Sequence, residues 1–60
     1  MIDYKYAFAC NSIDNNLYVL VMTCWYNDVD GNRVEVKSDT QLNKTLTECF
    51  ELAQAFVIVQ

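Results

Sequence analysis

The chain contains no histidine and no proline, and it has one glycine and three cysteines among its 60 residues. Histidine is the side chain used most often for proton transfer near neutral pH and for metal binding, so its absence removes the usual catalytic base and the usual metal ligand. The cysteines, at positions 10, 24 and 49, form no CxxC pair of the kind that holds zinc. We therefore expect no metal, no cofactor and no enzymatic activity.

The three cysteines leave one thiol unpaired under any connectivity, so a disulfide framework is not expected. Asp3 and Lys5 interrupt the opening residues, which therefore do not show the basic start and continuous apolar run of an export signal. The longest purely apolar stretch is much shorter than the about 20 residues of a membrane-spanning helix. We expect no membrane association and a cytoplasmic location, in the host cell if the chain is phage-encoded.

Basic residues are scarce, with four Lys and Arg against eight Asp and Glu, which gives a net charge of −4. Nucleic-acid binding depends largely on Lys and Arg side chains that neutralise phosphates, and here they are few and scattered. The charge balance argues against direct nucleic-acid binding and favours a protein partner with a basic surface.

Apolar residues are abundant for so short a chain, at 53% of the sequence. A domain of about 60 residues buries only about 60% of the surface that its unfolded chain exposes. Part of the apolar surface must therefore stay outside the core. This surplus predicts association with another protein or with a second copy of the chain.

Alternation and turn residues divide the first part of the chain into strands. Residues 2–10 alternate in the manner of a half-buried strand. The polar run 11–16 predicts a turn, and residues 17–26, apolar or aromatic on both faces, predict a central strand. The dipeptide Asp30-Gly31 favours a two-residue type I′ turn, followed by an edge strand over 32–37.

From residue 38 the apolar spacing changes to three and four residues, which predicts an amphipathic α-helix. The segment Ser38 to Gln41 matches a capping box at the start of that helix. Residues 56–60 leave two alternatives open, a fraying helix end or a fourth strand. The sequence thus predicts one α+β domain over residues 1–60, a three-stranded antiparallel β-meander with one C-terminal α-helix packed on one face (β-β-β-α).

The registers of the two hairpins predict which side chains share a face of the sheet. With residues 11–16 as the first loop, Cys10 lies opposite Leu17, and the second hairpin selects the same face. The helix is then expected to cover this face, with Phe50 packed against the side that carries Trp25. The other face stays open with an aromatic and Met-containing centre, typical of an interaction surface. The residues predicted to bind a partner there are Tyr18, Leu20, Met22 and Tyr26.

Both candidate functional features have structural alternatives. A C-terminal tail could cover the open face, and a one-residue slip in either loop would exchange the two faces of a strand. Acidic loop residues could dock a basic partner, but aspartate is also favoured in turns for local hydrogen bonding. The loop residues predicted to take part in partner binding are Asp14, Asp28 and Asp30.

These patterns predict a small acidic protein-binding inhibitor. By class analogy alone, such a chain suits phage-type anti-defence proteins, anti-CRISPR or anti-restriction-like, that occlude a basic surface of a nucleic-acid-handling enzyme. The alternative is a structural or regulatory homodimer that associates through the apolar outer face of its sheet.

The odd cysteine count yields a first testable prediction, that the fold does not need a disulfide. A thiol reagent applied to the unfolded protein without reductant should label three cysteines. Labelling of only one cysteine would show that a disulfide had formed and would contradict the prediction.

Overall fold

The computed structural model describes residues 2–57. Strands β1 (Lys5–Asp14), β2 (Leu17–Asn27) and β3 (Arg33–Lys44) form an antiparallel sheet in the order β1-β2-β3. A single helix, α1 (Leu46–Phe56), follows β3. This architecture confirms the predicted β-β-β-α order, although several boundaries and both loop lengths differ from the prediction.

The first turn is shorter than predicted and consists of Asn15 and Asn16. Asn16 has a φ of 58°, a left-handed conformation that asparagine tolerates better than most residues, and the Asp14 carboxylate accepts the Asn15 N–H at 2.7 Å. Because these residues complete the turn, the polar segment before them pairs with β2 as part of β1. A bulge at Ile13, between Ser12 and Asp14, shifts the register of the pairing.

The second loop is longer than predicted and spans residues 28–32. Asp28 organises it, since one carboxylate oxygen accepts the backbone N–H groups of Asp30 at 3.0 Å and Asn32 at 2.8 Å. The Asp28 N–H donates to the Asn32 carbonyl at 2.9 Å, and Gly31 adopts a φ of 83° that suits glycine. The predicted two-residue Asp30-Gly31 turn is therefore wrong, because the Asp28 side chain closes a wider loop.

The third strand continues to Lys44, so the predicted helix start at residue 38 is wrong. Segment 38–44 pairs with β2 instead, with a second irregularity near Asn43, whose φ is 57°. The helix begins after Thr45. The Thr45 hydroxyl accepts the Glu48 N–H at 3.2 Å, and the Glu48 carboxylate accepts the Thr45 N–H at 2.9 Å. The capping box thus lies at Thr45 and Glu48 rather than at Ser38.

The core lies between α1 and the face of β2 that carries the even-numbered residues. Its buried members are Leu20, Met22 and Cys24 from β2 and Cys49 and Phe56 from α1. Four half-buried side chains pack around them, namely Tyr4, Tyr6, Tyr18 and Leu52.

An aromatic cluster holds the C-terminal end of α1 on the sheet. The Phe56 ring meets Tyr6 and Phe8 edge-to-face at centroid distances of 6.4 and 6.2 Å. The Lys37 ammonium lies 4.3 Å above the Phe56 ring centroid, a cation–π contact from β3. Of the segment 56–60, for which helix and strand were both open, Phe56 ends α1 and Val57 has an extended backbone, while residues 58–60 lie outside the described residues.

The predicted face assignment is wrong for β2. Leu20 and Met22 were expected on the open face, but each is 2% exposed beneath the helix. Trp25 lies on the opposite face, half-buried, with the Arg33 guanidinium 3.9 Å from its ring centroid. Phe50, expected in the core, is 74% exposed. The cause is the first hairpin, where Cys10 pairs with Leu20 rather than Leu17, an odd shift that exchanges the faces.

The helix is too short to cover the sheet. Its 11 residues span about 16 Å at 1.5 Å per residue, whereas the 12 residues of β3 span about 40 Å at about 3.3 Å per residue. The radius of gyration is 13.3 Å, compared with about 10 Å for a compact domain of this length. The sheet therefore extends beyond the helix, and one of its faces has no covering element among residues 2–57.

The core assignment predicts that Met22→Ala destabilises the fold by about 2–5 kcal/mol, because it removes a buried side chain and leaves a cavity. Urea unfolding followed by circular dichroism measures the change. Val29→Ala serves as the control, since Val29 is fully exposed and its truncation should leave the midpoint unchanged. Equal midpoints for Met22→Ala and the parent protein would contradict the described core.

The capping box predicts a pH dependence. Hydrogen bonds from Thr45, first from its backbone N–H and then from its side chain, lower the pKa of Glu48. The stabilisation by this carboxylate is therefore present above its unfolded-state pKa and is lost as pH falls through the lowered folded-state pKa. Glu48→Gln should reduce the loss of stability on acidification, measured as the urea midpoint against pH. An unchanged acid dependence in Glu48→Gln would contradict the role of this carboxylate in the capping box.

Candidate functional site

The structure separates the residues that the sequence predicted for partner binding. Leu20 and Met22 lie in the core and present almost no surface to a partner. Asp14 and Tyr18 lie beside the first turn, at one end of the sheet. The remaining three come together at the opposite end, namely Tyr26, Asp28 and Asp30.

We call this opposite end of the sheet, with its 28–32 loop, the loop end. It contains a cleft of about 560 Å³. Val29 is fully exposed at 101% relative accessibility, and the Tyr26 ring is fixed by an edge-to-face contact with Tyr4 at 6.3 Å between centroids. Ile2 is also largely exposed there. The loop end thus combines an exposed aliphatic side chain with a supported aromatic ring. The residues that line the cleft are Ile2, Asp3, Lys5, Tyr26, Asn27, Asp28 and Val29.

The loop end is acidic, because Asp28 and Asp30 flank Val29 and Asp3 lines the same cleft. The Lys5 ammonium lies 3.4 Å from the Asp3 carboxylate and offsets part of this charge. The Asp28 carboxylate accepts hydrogen bonds from the loop backbone, as expected if this aspartate serves local turn formation. The carboxylate of Asp30 accepts no hydrogen bond within residues 2–57, so it is available to a partner.

A second candidate surface is an apolar groove of about 300 Å³ between β1 and α1. Leu46 and Phe50 are more than half exposed along its helix side, and Phe8 is 44% exposed on its strand side. The groove was not predicted from the sequence, because Phe50 was expected in the core. The sequence contains a signal for it, because Leu46, Phe50 and Ala53 form an apolar stripe on the helix beside the stripe of Cys49 and Phe56. The groove is lined by Phe8, Cys10, Leu20, Leu46, Cys49, Phe50 and Ala53.

Two thiols meet at the floor of the groove. The Cys10 and Cys49 thiols share a hydrogen bond with 3.8 Å between the sulfurs, and Cys49 is buried whereas Cys10 is exposed. Burial, and then the hydrogen bond with Cys10, raise the pKa of the Cys49 thiol. Because the thiolate is the reactive form, these effects make Cys49 a weak nucleophile at neutral pH. The pair packs β1 against α1.

The face of the sheet away from α1 differs from the apolar and aromatic patch that was predicted. Register places Ala9 and Thr40 on either side of Val21, and Val21 is 38% exposed. Trp25 lies under Arg33 near one end of this face. This face therefore lacks Leu20 and Met22, which were predicted to lie at its centre.

Two further kinds of site, a metal centre and a membrane-spanning helix, are absent from residues 2–57. This part of the chain holds no group of three or more Cys, Asp or Glu side chains placed to bind a metal ion. It also has no helix whose length and apolar character would let it cross a bilayer. In comparisons with known proteins, no family model, curated protein or solved structure matches the chain.

Proposed function

We propose that the chain is a small acidic protein-binding inhibitor that docks on a basic surface of its partner through the loop end. The observation that carries this proposal is the full exposure of Val29, an aliphatic side chain held between two aspartates on a loop that hydrogen bonds keep in shape. A preformed loop of this kind loses little conformational entropy on binding. An exposed aliphatic group supplies buried contact area, and the neighbouring carboxylates supply attraction and orientation.

The charge pattern suits a partner whose surface normally binds phosphates. Asp3 and Asp30 would face the Lys and Arg side chains of such a surface, while Val29 and Ile2 would exclude water between them. An inhibitor of this type occludes the groove of a nucleic-acid-handling enzyme, as the anti-defence class analogy expects. Asp14 lies at the other end of the sheet, so it is not part of this docking surface.

Affinity capture from a host lysate, followed by mass spectrometry, identifies the partner, and binding kinetics then test the loop end. Asp30→Lys should slow association several-fold and make the association rate less sensitive to salt, because charges at an interface rim act mainly on encounter. Glu51→Lys is the matched control, since it changes the net charge equally on the exposed side of α1.

Val29→Ala should speed dissociation without changing the salt dependence, because it removes contact area but no charge. Equal effects of Asp30→Lys and Glu51→Lys would show that net charge, rather than the loop end, guides binding. A partner that binds all three variants as tightly as the parent protein would reject the loop end as the docking surface.

A further inference from the structure

Two of the three thiols meet in the fold although they are far apart in the sequence. Cys10 lies on β1 and Cys49 lies on α1, 39 positions further along the chain, and their sulfurs are 3.8 Å apart at the groove. The sulfurs need to approach by only about 1.8 Å to reach the about 2.0 Å of a disulfide bond. The fold therefore places two oxidisable atoms within a small side-chain movement of a covalent bond.

The two thiols differ in their access to solvent. Cys10 is exposed, whereas Cys49 is 5% exposed beneath the helix. The groove that reaches both sulfurs holds about 300 Å³, and a water molecule takes up about 30 Å³ in the liquid, so a peroxide, which has two heavy atoms, can enter. An accessible thiol next to a second thiol that can resolve its oxidised form is the arrangement of oxidant-sensing cysteines.

Packing alone accounts for the third cysteine but not for this pair. Cys24 is 0% exposed and belongs to the core, where a cysteine acts as a small apolar side chain. Cys10 is exposed on β1 and contributes little buried area, and its sulfur is directed to the sulfur of Cys49 by their hydrogen bond. The contact between the two sulfurs is thus the feature that calls for a chemical role.

We propose that Cys10 and Cys49 form a peroxide-responsive thiol pair that closes to a disulfide and fastens α1 to β1. The Cys10 sulfur, after losing its proton to solvent, attacks one peroxide oxygen, and the O–O bond breaks. This leaves a sulfenic acid on Cys10 and a hydroxide that takes up a proton to become water. The Cys49 sulfur then attacks the Cys10 sulfur, the S–O bond breaks, and the hydroxyl leaves with the Cys49 proton as a second water. Two thiols are oxidised and one peroxide is reduced to two waters.

The environment of Cys49 suits the second of these steps. Burial raises the pKa of its thiol, so Cys49 stays protonated and reacts poorly with an oxidant in solvent. Its attack on Cys10 is intramolecular, with the reacting sulfurs already side by side, and a small thiolate fraction is sufficient for such a reaction. The first oxidation therefore falls on Cys10 and the closing step on Cys49.

The disulfide would give the helix a second attachment to β1. The ring contacts of Phe56 already hold the C-terminal end of α1, and Cys49 lies in the first half of the helix. The fold does not need the bond, since α1 and β1 pack while both thiols are free. Closing the chain between these positions restricts the unfolded state, so the oxidised form is the more stable one. The loop end takes no part, and the proposal stands whether or not the loop end docks on a partner.

Thiol counting tests the pair. Reduced protein, freed of reductant, is treated with hydrogen peroxide, unfolded and alkylated. The labelled cysteines should fall from three to one and return to three after a dithiol reductant. Fragment masses of the linked peptides should place the bond between Cys10 and Cys49. The urea midpoint of the oxidised protein should rise, with an unfolding equilibrium constant about a hundredfold lower.

Two variants serve as controls. Cys10→Ser replaces an exposed side chain with one of similar size, so it should fold, yet after peroxide it should keep both remaining thiols and its original urea midpoint. Cys24→Ala should still form the disulfide and leave no cysteine to label. If Cys24→Ala does not fold, because its side chain belongs to the core, the fragment masses of the parent protein decide the pairing.

The same treatment in urea shows what the fold contributes. The unfolded chain should give a mixture of the three possible pairings, whereas the folded chain should give one. A folded protein that keeps three thiols, forms covalent dimers through Cys10 or pairs Cys24 would overturn the proposal. An oxidised protein whose urea midpoint equals that of the reduced protein would also overturn it, because the bond would not fasten α1 to the sheet.

Discussion

The register of β1 against β2 is the constraint on which the rest of this structure depends. β2 is apolar on both faces, with Leu20 and Met22 on one and Val19 and Val21 on the other, so the strand alone does not determine which face is covered. The pairing of β2 with β1 determines which face is covered. Because of the bulge at Ile13, Tyr6 lies opposite Cys24, and the aromatic side of β1 joins the Leu20 face. With the same turn and no bulge, Tyr6 would lie opposite Trp25, and the helix would meet a different surface.

The sequence predicts the kinds of element and their order, because periodicity and turn residues are local signals. It does not determine the ends of those elements where two local signals compete. Ser38 and Thr45 both begin plausible capping boxes, and only the pairing of segment 38–44 with β2 selects Thr45. Leu20 and Met22 were assigned to the wrong face for a similar reason. The bulge at Ile13 changes the register and moves them from the predicted open face into the core.

The lengths of the elements leave part of the apolar surface exposed. A helix of about 16 Å over a sheet more than twice as long leaves apolar side chains that no other part of residues 2–57 covers. Phe8, Leu46 and Phe50 lie at the groove and Ile2 and Val29 at the loop end, whereas Ile13, Val21, Val36 and Leu42 are exposed elsewhere. The groove and the loop end differ in electrostatic character, since carboxylates line only the loop end.

Charge distinguishes the loop end from the apolar groove. Two copies that each carry a net charge of −4 repel one another, so self-association needs a seam that is neutral or internally compensated. The loop end does not satisfy this condition, because Asp3, Asp28 and Asp30 give it an acidic character. The same carboxylates favour the basic protein surface that we propose as the partner of the loop end.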